Sequence, residues 1–151
     1  MNIDIVVNNA DENVKTYSDA IRFTGKFLVE NEDIDPKYID ACIDREKDFP
    51  TGLLFANDVG IAIPHGSSDF VKKDSISVLR AVNNIEFGKM EDKSEKVDCK
   101  LLFHLALSSG KQHIRVLRKL VGLFQDEEFI ASCQTFEVEE TEKYIAKRLA
   151  E

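Results

Sequence analysis

Basic residues are scarce in this chain: 20 lysines and arginines stand against 28 aspartates and glutamates, a formal net charge of −8. No cationic surplus exists to neutralise phosphates, which argues against nucleic acid as a partner. Anionic membrane surfaces are disfavoured for the same reason. A phosphorylated protein can still dock, through a local patch and not a global field. Cysteine is rare too. Cys42, Cys99 and Cys133 are odd in number and widely spaced, with no Cys-x-x-Cys pair. That pattern suits buried thiols in a reducing compartment and not a disulfide framework. A basic leader, an apolar run long enough to span a bilayer, internal repeats and low-complexity segments are all missing. The chain therefore reads as cytoplasmic, without direct membrane insertion.

What is present is ordinary for a soluble globular protein: 43% hydrophobic and 32% charged residues. At 151 residues, a single domain covering 1–151 can bury a real core. Ile3 to Val7 alternate weakly, compatible with a short strand or the approach to a helix. From Asp11 the spacing is helical, with Val14, Tyr17, Ile21, Thr24 and Leu28 on one face. The acidic connector Asn31–Asp35 runs into Asp35-Pro36, a helix start with Asp35 as N-cap and proline in the first position. Tyr38, Ile39, Cys42 and Ile43 give this second helix its buried face. It passes through Arg45 and Glu46 and ends before Pro50.

Asp48 to Val59 is expected to be loop, with Pro50, Gly52 and Asn57 as turn signals. A strand at Ile61–Pro64 and a polar stretch from Ser67 to Asp74 follow. Ser75 to Val82 predicts a strand with Ile76, Val78 and Val82 on one face, and Ile85 and Phe87 a short extended segment. Lys89 to Lys96 is a charged, exposed loop. Val97 to Leu107 is the longest strand signal. Apolar on both faces at Leu101–Phe103, it is expected at the centre of a sheet covered on both sides. Ser109 and Gln112 have capping-box spacing for a helix that buries Ile114, Leu117, Leu120, Val121 and Phe124. Glu127 to Cys133 predicts a short helix. Glu137 to Leu149 predicts a closing one, with Val138, Thr141, Ile145 and Leu149 in register. Strands interleaved with helices imply an α/β fold: a single-domain sandwich whose mixed β-sheet is flanked by helices on both faces.

One stretch organises the rest. GIAIPHG, Gly60 to Gly66, begins as a strand with Ile61 and Ile63 on one face, then breaks. Pro64 fixes φ and removes a backbone donor, and Gly66 permits geometries closed to other residues. His65 is left at the strand end. Its imidazole titrates near neutrality and its free ring nitrogen is a competent nucleophile. On the tripeptide Ile-Pro-His alone, a histidine that merely caps a strand is an equal alternative.

The longer run REKDFPTGLLFANDVGIAIPHG, Arg45 to Gly66, resembles the active-site region of enzyme IIA domains of the sugar phosphotransferase system, in the mannitol/fructose class. In that family an Arg-Glu pair, a Pro-Thr-Gly-Leu turn and an Ala-Ile-Pro-His strand end recur at about this spacing. A second block, VDCKLLFHLAL followed by GKQHIRVLRKLVGLFQ, is similar to the family's second active-site segment. The Phe-Pro-Thr-Gly-Leu and Lys-Val-Asp stretches look closest to galactitol-type members. The resemblance covers nearly the whole chain. It implies a phosphocarrier in which His65 accepts a phosphoryl group from phospho-HPr. The group then passes to a cysteine of an enzyme IIB partner, which works with a membrane enzyme IIC in uptake of a sugar or sugar alcohol. No cofactor is implied. The alternative is a nitrogen-type regulatory enzyme IIA, with the same fold and histidine but acting by phosphorylation-dependent protein binding. The run from Phe49 to Leu53 favours transport.

Two further residues carry over. His113 matches the second histidine of mannitol- and fructose-type members, although galactitol-type members commonly have another polar residue there. Its place in the first turn of the Ser109-capped helix sets it near unpaired N–H groups that favour anions, on the side of Leu117 and Leu120. Arg45 matches the arginine that helps hold the phosphoryl group, and its planar fork suits phosphate better than lysine. Resemblance aside, Arg45 is a helix-end cation favoured by the dipole. Gly66 is expected to offer its N–H to a phosphate oxygen. His104 falls where the family mostly shows an apolar residue and reads as a satisfied or partly buried histidine. The spacings of His65, His104 and His113 match no zinc signature, and the cysteines add none. Each cysteine is followed by Ile, Lys or Gln, unlike the glycine typical beside the enzyme IIB cysteine. The IIB and IIC parts are thus expected on separate polypeptides.

Overall fold

In chain order the elements are β1 (Asp4–Asn9), α1 (Tyr17–Glu30), α2 (Lys37–Asp48), β2 (Gly52–Phe55), β3 (Val59–Ala62), β4 (Ser75–Gly88), β5 (Lys96–Ala106), α3 (Gly110–Leu123), α4 (Glu127–Thr135) and α5 (Val138–Ala150). They come from a computed structural model that describes residues 2–55 and 58–151. Asn57, read from sequence as a turn signal, lies outside the described residues. The five strands form one sheet in the order β1-β4-β5-β3-β2. β1 runs parallel to β4 and β3 parallel to β5, while β4–β5 and β2–β3 are antiparallel. The mixed sheet between two helical layers is the expected α/β sandwich, and β5 is its central strand as its two apolar faces imply.

Alternation along the strands divides the core. Ile61, Ile63, Ile76, Val78, Leu101, Phe103 and Leu105 face the layer of α3, α4 and α5. Ala62, Leu79, Ile85, Phe87, Cys99 and Leu102 face the layer begun by α1. The period slips once. Gly60 pairs with Cys99 but Ile61 with Leu101, so an irregularity opposite Lys100 reverses which face the later β5 residues occupy. β4 has its own register shift between Arg80 and Ile85.

Local chemistry sets the helix starts. Thr16 Oγ1 accepts the Asp19 N–H at 3.1 Å and Asp19 Oδ2 accepts the Thr16 N–H at 3.1 Å, a reciprocal cap that begins α1 at Tyr17, later than the apolar spacing implies. Asp35 Oδ1 accepts the Lys37 N–H at 2.9 Å, and Pro36 is already helical at φ −53° and ψ −26°.

Four expectations need correction. Gly52–Phe55, expected as loop, is the edge strand β2, a four-residue run hidden behind the Pro50 and Gly52 turn signals. Ile85 and Phe87 belong to the same strand as Ser75–Val82, making β4 longer than β5. Val82 falls in the irregular interval of β4 and is exposed. Ile114 is exposed as well. The buried face of α3 is Val116, Leu120 and Leu123, and Ile114 sits about 200° around the helix from Val116.

Candidate functional site

β3 stops at Ala62, and beyond it the Pro64 carbonyl still accepts the Leu105 N–H at 3.0 Å. This last bond to β5 holds the chain in place just before His65. The neighbouring α3 starts at Gly110, where Ser109 Oγ accepts the Gln112 N–H at 3.1 Å, and its first turn presents His113. The two imidazoles meet with ring centroids 4.3 Å apart and planes inclined by 50°. Arg45, in the last turn of α2, lines the same two adjoining cavities as both histidines. Its guanidinium carbon rests 5.2 Å from the centroid of the exposed Phe49 ring. The structure thus brings together all three candidate residues, His65, His113 and Arg45.

His65 Nδ1 lies 2.8 Å from the Ile63 carbonyl oxygen. A carbonyl only accepts, so Nδ1 carries the proton and Nε2 the lone pair. Burial, with help from His113 and Arg45, pushes the His65 pKa down to about 4. The ring is therefore neutral at pH 7 and its Nε2 is available as a nucleophile. Burial and then Arg45 also hold His113 below the usual histidine range. A dianionic group placed between them would reverse that balance, favouring cationic His113. Such a site can accept a phosphoryl group on Nε2 and meet its oxygens with Arg45 and the N-terminal end of α3.

Gly66 is not free to serve a phosphate oxygen, contrary to expectation. Its N–H donates to the Tyr38 hydroxyl at 3.0 Å, and that hydroxyl donates in turn to the Leu105 carbonyl at 2.5 Å. No glycine among the described residues has positive φ. Gly66 is needed for close approach instead: an added Cβ would stand 3.2 Å from Cys42 Sγ and 3.3 Å from Tyr38 Cε1.

Glu46 and Thr51, members of the Arg-Glu and Pro-Thr-Gly-Leu motifs, were given no role in the site by sequence reasoning. Glu46 is buried and accepts the Thr51 N–H at 2.6 Å and the Thr51 hydroxyl at 3.0 Å. Burial pushes its pKa up to about 7, against the opposing pull of the Thr51 bonds and of Arg45. The available signal was position: Glu46 continues the Tyr38–Cys42 stripe of α2 at helical spacing.

His104 is fully buried and apart from the cavity. Thr24 Oγ1 donates to the Ala20 carbonyl at 2.9 Å, so it accepts from His104 Nδ1 at 2.7 Å. His104 Nε2 then accepts the Cys42 thiol at 3.3 Å, and burial pushes the His104 pKa down to about 3. Both ring nitrogens are satisfied, as read from sequence. Cys42, Cys99 and Cys133 are buried free thiols, each raised to about 12 by burial. Among the described residues no cluster of three or more His, Cys, Asp or Glu is placed to hold a metal ion, and no helix is long and apolar enough to cross a membrane. A depression elsewhere, on the outer face of α3, is lined by Ile114 with Lys111, Arg115 and Arg118 and holds none of the candidate residues.

Comparison with known proteins finds relatives over most of the chain. Residues 3–147 match the family model "Phosphoenolpyruvate-dependent sugar phosphotransferase system, EIIA 2". The mannitol-specific phosphotransferase enzyme IIA component of Enterococcus faecalis is 35% identical over 79% of this chain and 77% of its own length. The mannitol-specific EIICBA component of Escherichia coli is 32% identical over 88% of this chain, which spans only 20% of that longer protein. The Escherichia coli galactitol-specific EIIA component is 26% identical, over 86% of this chain and 85% of its own. Identity is thus higher to these mannitol-specific relatives than to the galactitol-specific one. Among solved structures, the complex of Escherichia coli enzyme IIA-mannitol with phosphorylated enzyme IIB-mannitol contains a chain 30% identical, with TM-score 0.70, covering 97% of this chain and 94% of that one. The nitrogen regulatory protein IIA-Ntr of Neisseria meningitidis shares the fold, with TM-score 0.71 at 23% identity, covering 97% of this chain and 92% of that one. The chain belongs to the EIIA 2 family of the phosphoenolpyruvate-dependent sugar phosphotransferase system.

Proposed function

We propose that this chain is a single enzyme IIA domain that carries a phosphoryl group on His65 between phospho-HPr and a cysteine of an enzyme IIB partner, in the cytoplasm, for uptake of a sugar or sugar alcohol through enzyme IIC. The observation that carries this reading is the Nδ1–H bond of His65 to Ile63, which leaves a neutral Nε2 beside His113 and Arg45. In the first step the Nε2 lone pair attacks phosphorus and the N–P bond to the donor imidazole breaks. In the second, a IIB thiolate attacks in line, an S–P bond forms and the bond to Nε2 breaks. Phosphoryl transfer asks for this positioning and charge and for little covalent work by the protein. Arg45 meets the phosphoryl oxygens in a two-pronged geometry, and His113, protonated as the dianion arrives, neutralises charge developing in flight. The relatives' names bear on the partners: one is fused to IIC and IIB parts, and one solved neighbour is bound to phosphorylated IIB.

Incubation with phosphoenolpyruvate, enzyme I and HPr should add one acid-labile phosphate, and a co-encoded IIB should then remove it. Stoichiometric labelling of His65→Ala would overturn the assignment. A label retained against every co-encoded IIB, by a protein that instead binds a kinase or potassium transporter, would move the chain to the regulatory class.

A further inference from the structure

His65 hangs from Ile63, and Ile63 is held at both ends. Its carbonyl accepts from His65 Nδ1 at 2.8 Å, while its N–H donates to Thr51 Oγ1 at 3.2 Å. Ile63 lies one residue past β3, where ladder bonding to β2 has ended at the Gly52–Ala62 pair. The Thr51 side chain supplies the acceptor that the missing rung would have given. Its hydroxyl has one proton, and Glu46 takes it, so the lone pairs stay turned to Ile63. Glu46 also accepts the Thr51 N–H, fixing the threonine backbone. All three residues are buried, so no water competes for these groups. The chain of bonds runs without a gap from a helix carboxylate to the ring nitrogen opposite the nucleophile.

We propose that Glu46 and Thr51 are positioning residues for phosphotransfer: through the Ile63 backbone they hold the His65 ring in the orientation that leaves Nε2 unprotonated and open to the cavity. The assignment rests on the proposed role of His65. The coupling is geometric. Without the Thr51 acceptor, Ile63 can turn about its backbone, its carbonyl leaves Nδ1, and the ring is released to take the other tautomer or rotate. A merely structural Glu46–Thr51 pair would affect stability and leave the His65 tautomer and the rate at saturating donor unchanged.

The test uses full-length protein labelled with ¹⁵N-histidine, as wild type, Thr51→Ser, Thr51→Val and Glu46→Gln, with folding checked by circular dichroism. Long-range ¹H–¹⁵N spectra report which His65 nitrogen carries the proton. Single-turnover transfer from phospho-HPr reports the rate. Wild type and Thr51→Ser, which keeps the hydroxyl, should show the Nδ1–H form and equal rates. Thr51→Val and Glu46→Gln should show mixed tautomers and transfer about ten to a hundredfold more slowly at saturating donor, with unchanged half-saturation. Should Thr51→Val fail to fold, the isosteric Glu46→Gln carries the comparison. Spectrum and rate must move together: a change in one alone, or in neither, overturns the proposal. If wild type accepts no phosphate at all, the function proposed for the site fails, and the spectra alone decide whether Glu46 and Thr51 orient His65.

Discussion

The ring of His104 lies against the ring of Tyr38, centroids 5.8 Å apart and planes inclined by 18°, with no room for an extra proton on either histidine nitrogen. His104 therefore stays neutral in the fold down to about pH 3, whereas in the unfolded chain it titrates near 6.5. Between those values the unfolded state binds the extra proton. The contribution of His104 to stability is whole above about pH 6.5 and is lost as pH falls, at up to about 1.4 kcal/mol per pH unit. His65, lowered to about 4, acts with the same sign. Glu46, raised from 4.5 to about 7, acts with the opposite sign and offsets part of the slope in that window. Urea midpoints should thus fall from pH 7.5 to pH 5 in wild type and fall less in His104→Leu. Identical acid slopes would show that His104 is charged in the fold.

His113 and Arg45 should differ kinetically. His113→Ala should slow transfer to and from His65 alike, by about a hundredfold, because both directions share one transition state. Arg45→Lys keeps the charge and loses the fork, so the phosphorylated equilibrium should weaken along with the rate. Rapid-quench transfer run in both directions separates the two. A His113→Ala protein that transfers at the wild-type rate would make the second histidine structural.

Tyr38→Phe removes one oxygen and strands two backbone groups, the Gly66 N–H and the Leu105 carbonyl. The cost should be about 1–3 kcal/mol of stability. Transfer should slow as well, because residue 66 is the C-terminal anchor of His65. Thermal melting and single-turnover rates check both. A normal melt with slow transfer would separate anchoring from stability.

Phe49 is 63% exposed beside the cavity, touched by the Arg45 guanidinium and otherwise open to solvent, an unusual place to leave an aromatic ring. Phe49→Ala should leave the stability unchanged within about 0.5 kcal/mol. It should raise the half-saturating concentration of a protein substrate without lowering the maximal rate. Loss of maximal rate instead would mean that the ring's role is to steady Arg45.

Much of this molecule was legible because its patterns are strong. β5 announces itself by apolar residues on both faces, α5 by Thr141, Ile145 and Leu149, and the strand break by Pro64. β2 was hidden because four residues at a sheet edge carry almost no periodicity. Ile114 and Val82 misled for a different reason. An apolar residue is visible in sequence, but the phase of a helix or a slipped strand is set by what packs against it. The three candidate site residues were found through family resemblance to the two blocks. Glu46 and Thr51 stand in the quoted Arg-Glu and Pro-Thr-Gly-Leu motifs and Tyr38 on the buried face of α2, but their roles were not legible, because residue type does not show which buried groups pair with which.

Because Arg45, His65 and His113 come from the end of α2, the end of β3 and the start of α3, no contiguous stretch of the chain holds the site by itself. Its geometry exists only after β3 has paired with β5 and both helical layers have closed over them. A partly opened molecule would lose its reactive histidine before it lost most of its helices. Covalent labelling is thus a census of completely folded molecules: across a denaturant titration, the fraction able to take up phosphate should follow tertiary-structure probes and should never exceed the fraction that far-ultraviolet dichroism counts as native.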